Sequence, residues 1–315
     1  MTERPESFAP RRSEPVFARL AIIGIGLIGS SIARAAKELN LAGAIVLSDR
    51  DEAVRRRARE LGLGHAVAET AAEAVRDADH VVLCVPVGAC GPVAAEIAPA
   101  LKPGAILSDV GSVKGAVIDA VSPHLPQGVS FVPAHPVAGT ENSGPDAGFP
   151  SLFLNRWCIL TPPEGTDPAA IARTRQFWEG MGALVEVMGA EHHDLVLAVT
   201  SHLPHLIAYN IVGTAEDLEA VTQSEVIKFS AGGFRDFTRI AASDPTMWRD
   251  VFLHNKEAVL EMLGRFNEDL ALLTRAIRYG DGETLHRHFT RTRAIRRGIV
   301  ALGQEKPETE KLRKD

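Results

Sequence analysis

The chain has 315 residues, which as a prior suggests about two domains. Its 45% hydrophobic and 23% charged residues are those of a soluble globular protein, and 40 acidic against 34 basic side chains leave a net charge of −6. That balance argues against a protein that coats nucleic acid or an anionic membrane. Three cysteines without a CxxC pair (Cys84, Cys90 and Cys158) argue against a disulfide framework or a thiolate zinc site, and for a reducing cytoplasm.

Residues 1–15 carry Glu3, Glu6 and Glu14 among Pro5, Pro10 and Pro15 and lack an apolar core, so they read as a disordered tail rather than a signal peptide. The apolar stretch 20–33 falls short of the roughly 20 residues that span a bilayer and is interrupted by glycines. From 16 to 190 short β-branched runs at 20–24, 45–48, 80–85, 105–108, 130–133, 157–161 and 184–187 predict strands. Alanine-rich amphipathic stretches at 30–39, 51–61 and 87–101 predict helices between the first of them. Strand alternating with helix is the signature of βαβ units, so the first domain is expected to be a doubly wound, mostly parallel sheet of Rossmann type.

From about residue 191 no strand is predicted. Phe252, Val259, Phe266 and Leu273, interleaved with Leu263, Leu270 and Ile277, give three heptads of apolar seam on one long helix. The seam reads equally as the core of a small bundle or as a subunit interface. Gly280-Asp281-Gly282 ends that helix, a last one covers about 283–302, and 303–315 form a charged tail. The expected second domain, 191–302, is therefore all α.

Gly24-Ile25-Gly26-Leu27-Ile28-Gly29 is a GxGxxG between a predicted strand and a predicted helix, and Asp49 ends the next strand 20 residues after Gly29. Gly24 allows the tight turn, Gly26 lets backbone approach a pyrophosphate, and Gly29 lets helix and sheet close together. Phosphates then face the free N–H groups of a helix N-terminus at Leu27 and Ile28. Asp49 is suited to the ribose hydroxyls and repels a 2′-phosphate, which favours NAD over NADP, although the neighbouring Arg50 could accept one. Val85 and Pro86, just past a strand end, are the next expected cofactor contacts, unless Pro86 merely ends the strand.

Four further clusters carry candidate chemistry: Asp109-Val110-Gly111-Ser112-Val113-Lys114; His135-Pro136-Val137-Ala138-Gly139-Thr140-Glu141; Thr200-Ser201-His202-Leu203-Pro204-His205; and Gly233-Phe234-Arg235-Asp236-Phe237-Thr238-Arg239 ahead of Asp244-Pro245 and Trp248. Each has a plainer reading. His135 could be a satisfied surface group, Pro204 an ordinary kink, Ser112 a helix cap, and Asp236 with Arg239 a simple i, i+3 ion pair. A metal at His192, His193, His202 and His205 is disfavoured, because no cysteine or paired carboxylate completes a site.

Taken together, GIGLIGSS, DVGSVK, HPVAGTE, TSHLPH and GFRDFTRIAASDPTMW resemble the prephenate/arogenate (cyclohexadienyl) dehydrogenase family of tyrosine biosynthesis, over roughly residues 17–300. The resemblance implies a Rossmann-type NAD domain followed by a helical dimerisation domain, and a cytoplasmic homodimer. It implies hydride transfer from prephenate or arogenate to NAD with loss of the ring carboxylate. His135 would then be the base at the ring hydroxyl, with a pKa near working pH, and Ser112 would orient it and the nicotinamide. Arg239 would grip the ring carboxylate, with Asp236 positioning it. His205 and Ser201 would line the side-chain pocket, and Glu141 would gate access through an ion pair. Two rivals remain: a β-hydroxyacid-type dehydrogenase, which calls for a lysine base that residues 191–213 lack, and a non-catalytic NAD-binding protein.

Overall fold

The computed structural model describes residues 10–222 and 231–301. Residues up to Val259 group as one compact unit and those from Leu260 as a second, whereas the sequence pattern changes at about 190. In the first unit, β1 (Phe17–Ile23), β2 (Ala42–Ser48), β3 (Ala66–Val67), β4 (His80–Leu83), β5 (Ile106–Asp109) and β6 (Ser130–Phe131) line up as one sheet in the order β3-β2-β1-β4-β5-β6. Every neighbouring pair is parallel. The order switches direction at β1 and β4, as in doubly wound dinucleotide-binding folds.

Alternation along β1 divides the interior. Leu20 and Ile22 join Ile32, Phe153, Phe177 and Trp178 on one face, and Ala21 and Ile23 join Val81, Leu83, Val117, Trp248 and Val251 on the other. Both faces are thus covered, as a parallel sheet requires. Helix α1 (Leu27–Glu38) reaches the sheet through small buried residues, Gly29, Ser30, Ser31, Ala33, Ala35 and Ala36. Helices α2 (Glu52–Glu60), α3 (Ala71–Ala74), α4 (Cys90–Ile97), α5 (Gly115–Val121) and α6 (Pro168–Gly180) follow. Three of these starts were encoded locally: Asp51 and Asp167 cap α2 and α6, and Thr70 with Glu73 makes a capping box on α3. The sequence places the helix after β4 at 87–101, but only 90–97 is α-helical, between 3-10 turns.

Two strands escape the sequence reading. One is β3. The other, β7 (Ala134–Pro136), pairs antiparallel with β8 (Trp157–Leu160), which pairs in parallel with β9 (Leu184–Val187) in a separate sheet. A three-residue strand ending in proline has too little pattern to be recognised. The tail reading also needs correction at its end: Arg12 N–H donates to Leu39 O at 3.0 Å and Asn40 Nδ2 to Arg12 O at 3.1 Å, which seats that segment beside α1. Residues 1–9 and the expected charged tail lie outside the described residues.

After β9 the unit is helical among the described residues: α7 (Ala190–Leu197), a π-helical turn Ala198–His202, α8 (Leu203–Thr222), α9 (Gly232–Thr238) and α10 (Pro245–His254). By length and composition the run Ala190–Asp217 could cross a bilayer, yet it buries His193, Asp194 and His202 against the rest of the unit. The expected single seam helix is two helices. Phe252 lies on α10, Asn255 (φ −112°, ψ 35°) breaks the run, and α11 (Lys256–Arg278) carries the remainder. The break frees the Asn255 side chain to bond Asp194 O at 2.8 Å. The second unit holds most of α11 and α12 (Gly282–Ala301), joined through Gly280 at φ +65°.

Buried titratable groups are numerous. His80, at the start of β4, lies between the Phe17 and Phe177 rings at 4.5 and 5.1 Å with neither ring nitrogen bonded. Burial lowers its pKa to about 3. Burial likewise raises the thiols of Cys84, Cys90 and Cys158.

Candidate active site

The glycine turn after β1 is shaped by contact. Gly24 has φ +96°, and a Cβ there would stand 2.3 Å from Cys84 O; one on Gly29 would stand 2.0 Å from Gly24 O. Gly26 is the exception, because a Cβ there would meet nothing within 4 Å. It is the N-cap of α1 and no side chain caps the helix, so free N–H groups at Leu27 and Ile28 face open space, a natural anion site. Asp49, at the end of β2, accepts Ile25 N–H at 2.8 Å and Asp51 N–H at 3.0 Å. Arg50 is exposed, and Val85 and Pro86 follow β4 ahead of the 3-10 turn. This cradle fits a dinucleotide: an open phosphate seat, an uncapped helix end and an acidic residue beside it.

A second set of residues lies at the carboxyl end of β5. Asp109 ends that strand and pairs with Lys114, both side chains fully buried. Lys114 Nζ also donates to Ala134 O at 2.8 Å, and so fastens β7 to β5 one residue before His135. Burial pushes Asp109 above the ordinary carboxylate range despite that ammonium, and its Oδ1 has no partner.

His135 is 7% exposed. Its Nδ1 lies 2.9 Å from His193 Nε2, and His193 Nδ1 lies 2.8 Å from Asp194 Oδ1. The Asp194 carboxylate accepts Lys114 N–H and Gly115 N–H, each at 2.8 Å. Asn255 Nδ2 bridges Asp194 O and His202 Nδ1. Burial, followed by the neighbouring His193 and Lys114, holds His135 well below the usual imidazole range, and burial also lowers His193. Burial would raise Asp194, but bonds from His193, Lys114 and Gly115 overcome it and keep the carboxyl low.

Ser112 stands on the loop between Asp109 and Lys114, half-buried. Among the described residues the side chain bonded to His135 is His193, at Nδ1, and no direct bond joins Ser112 to the ring. His193 surfaced in the sequence only within a disfavoured metal reading, and among the described residues no group of three or more His, Cys, Asp or Glu is arranged for a metal. Nothing local to EHHD marks His193 and Asp194, because their partners are 58 and 80 residues away.

The remaining candidates are more open. Arg239 Nη1 bonds Glu141 Oε2 at 3.0 Å, with 60% and 36% of the two side chains exposed. A hydrogen bond from its own backbone N–H, with Arg239 beside it, lowers the Glu141 pKa. Asp236 is exposed and faces Arg235 at 3.7 Å rather than Arg239. Residues 236 and 239 are only one turn apart, but Glu141 takes the guanidinium instead. His205 Nδ1 donates to Ser201 O at 2.8 Å, and its ring stacks on Trp248 with centroids 3.6 Å apart. Trp248, quoted in the sequence motif without a role, is the buried ring on which His205 rests.

The model of the prephenate dehydrogenase nucleotide-binding domain matches residues 32–187, and that of the prephenate dehydrogenase dimerization domain matches 189–291. A cyclohexadienyl dehydrogenase of Zymomonas mobilis is 49% identical over 281 residues, 89% of this chain and 96% of that protein. A prephenate dehydrogenase of Bacillus subtilis is 34% identical, over 89% of this chain and 76% of its own. Among solved structures, prephenate dehydrogenase from A. aeolicus in complex with hydroxyphenyl propionate and NAD+ superposes with a TM-score of 0.83 at 33% identity, covering 89% of this chain and 98% of that one. Synechocystis arogenate dehydrogenase gives a TM-score of 0.75 at 26% identity, covering 89% and 99%.

Proposed function

This chain belongs to the prephenate dehydrogenase family, and from that premise we propose that it oxidatively decarboxylates prephenate, arogenate or both, with NAD as the oxidant. The observation that carries the reading is the fastening of a buried imidazole, His135, to the carboxyl end of β5 through Lys114 Nζ and Ala134 O. That end of a doubly wound sheet is where its ligand binds. Gly24, Gly26, Leu27, Ile28 and Gly29 would seat the pyrophosphate, Asp49 the ribose, and Val85, Pro86 and Ser112 the nicotinamide side. NAD, when bound, supplies the hydride acceptor.

The chain's own groups do the rest. His135 takes the proton of the ring hydroxyl as hydride leaves the same carbon, so a C=O bond forms there. The opposite ring carbon then loses its carboxylate as carbon dioxide, and the electron pair of that bond completes the aromatic ring. The phenolate oxygen recovers the proton from His135. Arg239 holds the ring carboxylate with its fork of donors, exchanging Glu141 for it. Ser201 and His205, backed by Trp248, face the pyruvyl or alanyl arm. The burial that keeps His135 neutral also keeps it available as a base at neutral pH.

Four initial rates test this: prephenate or arogenate, each with NAD or NADP, followed by absorbance of the reduced nucleotide. Reduction with at least one acid, faster with NAD, is expected, and none in all four overturns the reading. We also infer a cytoplasmic homodimer. The C-terminal match is to a dimerization domain, and Leu260, Leu270, Leu272, Ile277, Phe289 and Ile295 are exposed on α11 and α12. Sedimentation as a monomer at micromolar concentration would refute it.

A further inference from the structure

His135 has two ring nitrogens, and only one of them can be the base. Which one follows from a chain of hydrogen bonds that begins two side chains away. Asp194 accepts both Lys114 N–H and Gly115 N–H, and an ionised carboxylate has no proton to give. His193 Nδ1, 2.8 Å from that carboxylate, must therefore carry the hydrogen. A neutral imidazole has one N–H, so His193 Nε2 presents a lone pair. His135 Nδ1, 2.9 Å away, must then be the donor. This leaves the lone pair of His135 on Nε2, which bonds no described residue.

We propose that His193 and Asp194 are positioning residues that fix His135 in the tautomer whose Nε2 is the base and that stabilise its imidazolium once it takes the substrate's hydroxyl proton. The inference rests on His135 being that base. Backbone anchors hold the assembly in register: Lys114 Nζ on Ala134 O, and Asn255 Nδ2 on Asp194 O. Besides His193 and Asp194, the charged or titratable groups facing His135 are the Lys114 ammonium, with Asp109 paired to it, and His202. Asp194, reaching His135 through His193, is the anion that offsets the Lys114 ammonium when the ring is protonated.

Asp194→Asn is nearly isosteric and removes the anion in either orientation; with its amide N–H toward His193 Nδ1, at the expense of the Lys114 N–H bond, it reverses both tautomers. The expected result is a fall in kcat of about 10²–10⁴-fold, with KM and NAD affinity within a few-fold of the parent. With the anion gone, the acidic limb of the residual kcat/KM profile should move to lower pH. In the free protein, ¹⁵N spectra of labelled histidine should show the His135 proton moving from Nδ1 to Nε2. His193→Gln, whose amide oxygen can accept from His135 Nδ1, should retain more turnover than His193→Leu. Unchanged kcat and tautomers in Asp194→Asn overturn the inference, as does a loss of turnover matched by an equal loss of NAD affinity and thermal stability. His135→Asn is assayed alongside. Should it keep the parent's turnover, the base assignment falls and this inference with it; should it be inert while Asp194→Asn is fully active, only the inference falls.

Discussion

The side of the site that carries His135 and the side that carries Arg239 are built on opposite principles. Around His135 the polar groups are buried and bonded to one another across β5, β7, α5 and α7, and the ring itself is 7% exposed. Around Arg239 the ion pair with Glu141 stands in water, with 60% of the arginine side chain exposed. The contrast matches the tasks proposed for the two residues. A base must stay neutral and aimed before substrate arrives, which a dry, pre-bonded setting provides. A carboxylate anchor must release one anion to take another, which an exposed pair allows at little cost.

Four measurements probe that contrast, and the largest effect belongs to the dry side. Lys114→Met leaves Asp109 buried without its cation and frees Ala134 O. A loss of about 3–5 kcal/mol in denaturant unfolding is expected, as for other broken buried pairs, with much of it recovered in Lys114→Met/Asp109→Leu. A loss below about 1 kcal/mol would show that the pair is not buried in solution.

Acid should act on a second dry interior, at the amino end of β4, where His80 lies between Phe17 and Phe177. The folded pKa of His80 is lowered to about 3 from an ordinary 6.5. Its contribution is complete above pH 6.5 and declines as pH falls toward 3, because the unfolded chain binds the proton first. The slope approaches ~1.4 kcal/mol per pH unit, and His80→Leu should flatten it in unfolding curves taken from pH 7 to 4.5.

On the wet side, Arg239→Gln should raise KM for the diacid about ten- to a hundredfold, with a smaller change in kcat, the mark of lost charge-assisted binding. A fall in kcat alone would remove it as the carboxylate anchor. The smallest effect is on folding by Glu141→Gln, at most ~1 kcal/mol and weaker still in high salt. A larger loss would mean that this pair is structural rather than exchangeable.

The same division explains what could be read from the sequence. Features enforced locally were legible. Gly29 is needed because Gly24 O, five residues back, leaves no room for a Cβ, and Asp51, Thr70 and Asp167 mark helix starts by bonding within three residues. Gly24, pressed by Cys84 O just past the neighbouring β4, was legible through its motif instead. Of the candidate site residues, His135, Arg239, His205 and Asp49 were named from their motifs. His193 and Asp194 were not given this role, since what defines them is contact with residues 58 and 80 positions away. The seam at Phe252 and Val259 suggested one helix because apolar spacing does not report the break at Asn255, whose side chain bonds the distant Asp194. Asp236 failed as a partner for Arg239 for a similar reason: helical spacing offered one carboxylate and the tertiary fold supplied another.

The brevity of β7 has a consequence for sequence change. His135 sits opposite Ile159, in a pairing of only three residues, and successive strand residues point to opposite faces. Inserting a single amino acid between Ala134, whose carbonyl holds Lys114, and His135 would turn the ring to the far face and silence the protein while leaving its core whole. The exposed residues 139–143 are under no such frame, so length variants there should be tolerated except where they dislodge Glu141, whereas the rest of the connection buries Pro145, Leu152 and Phe153.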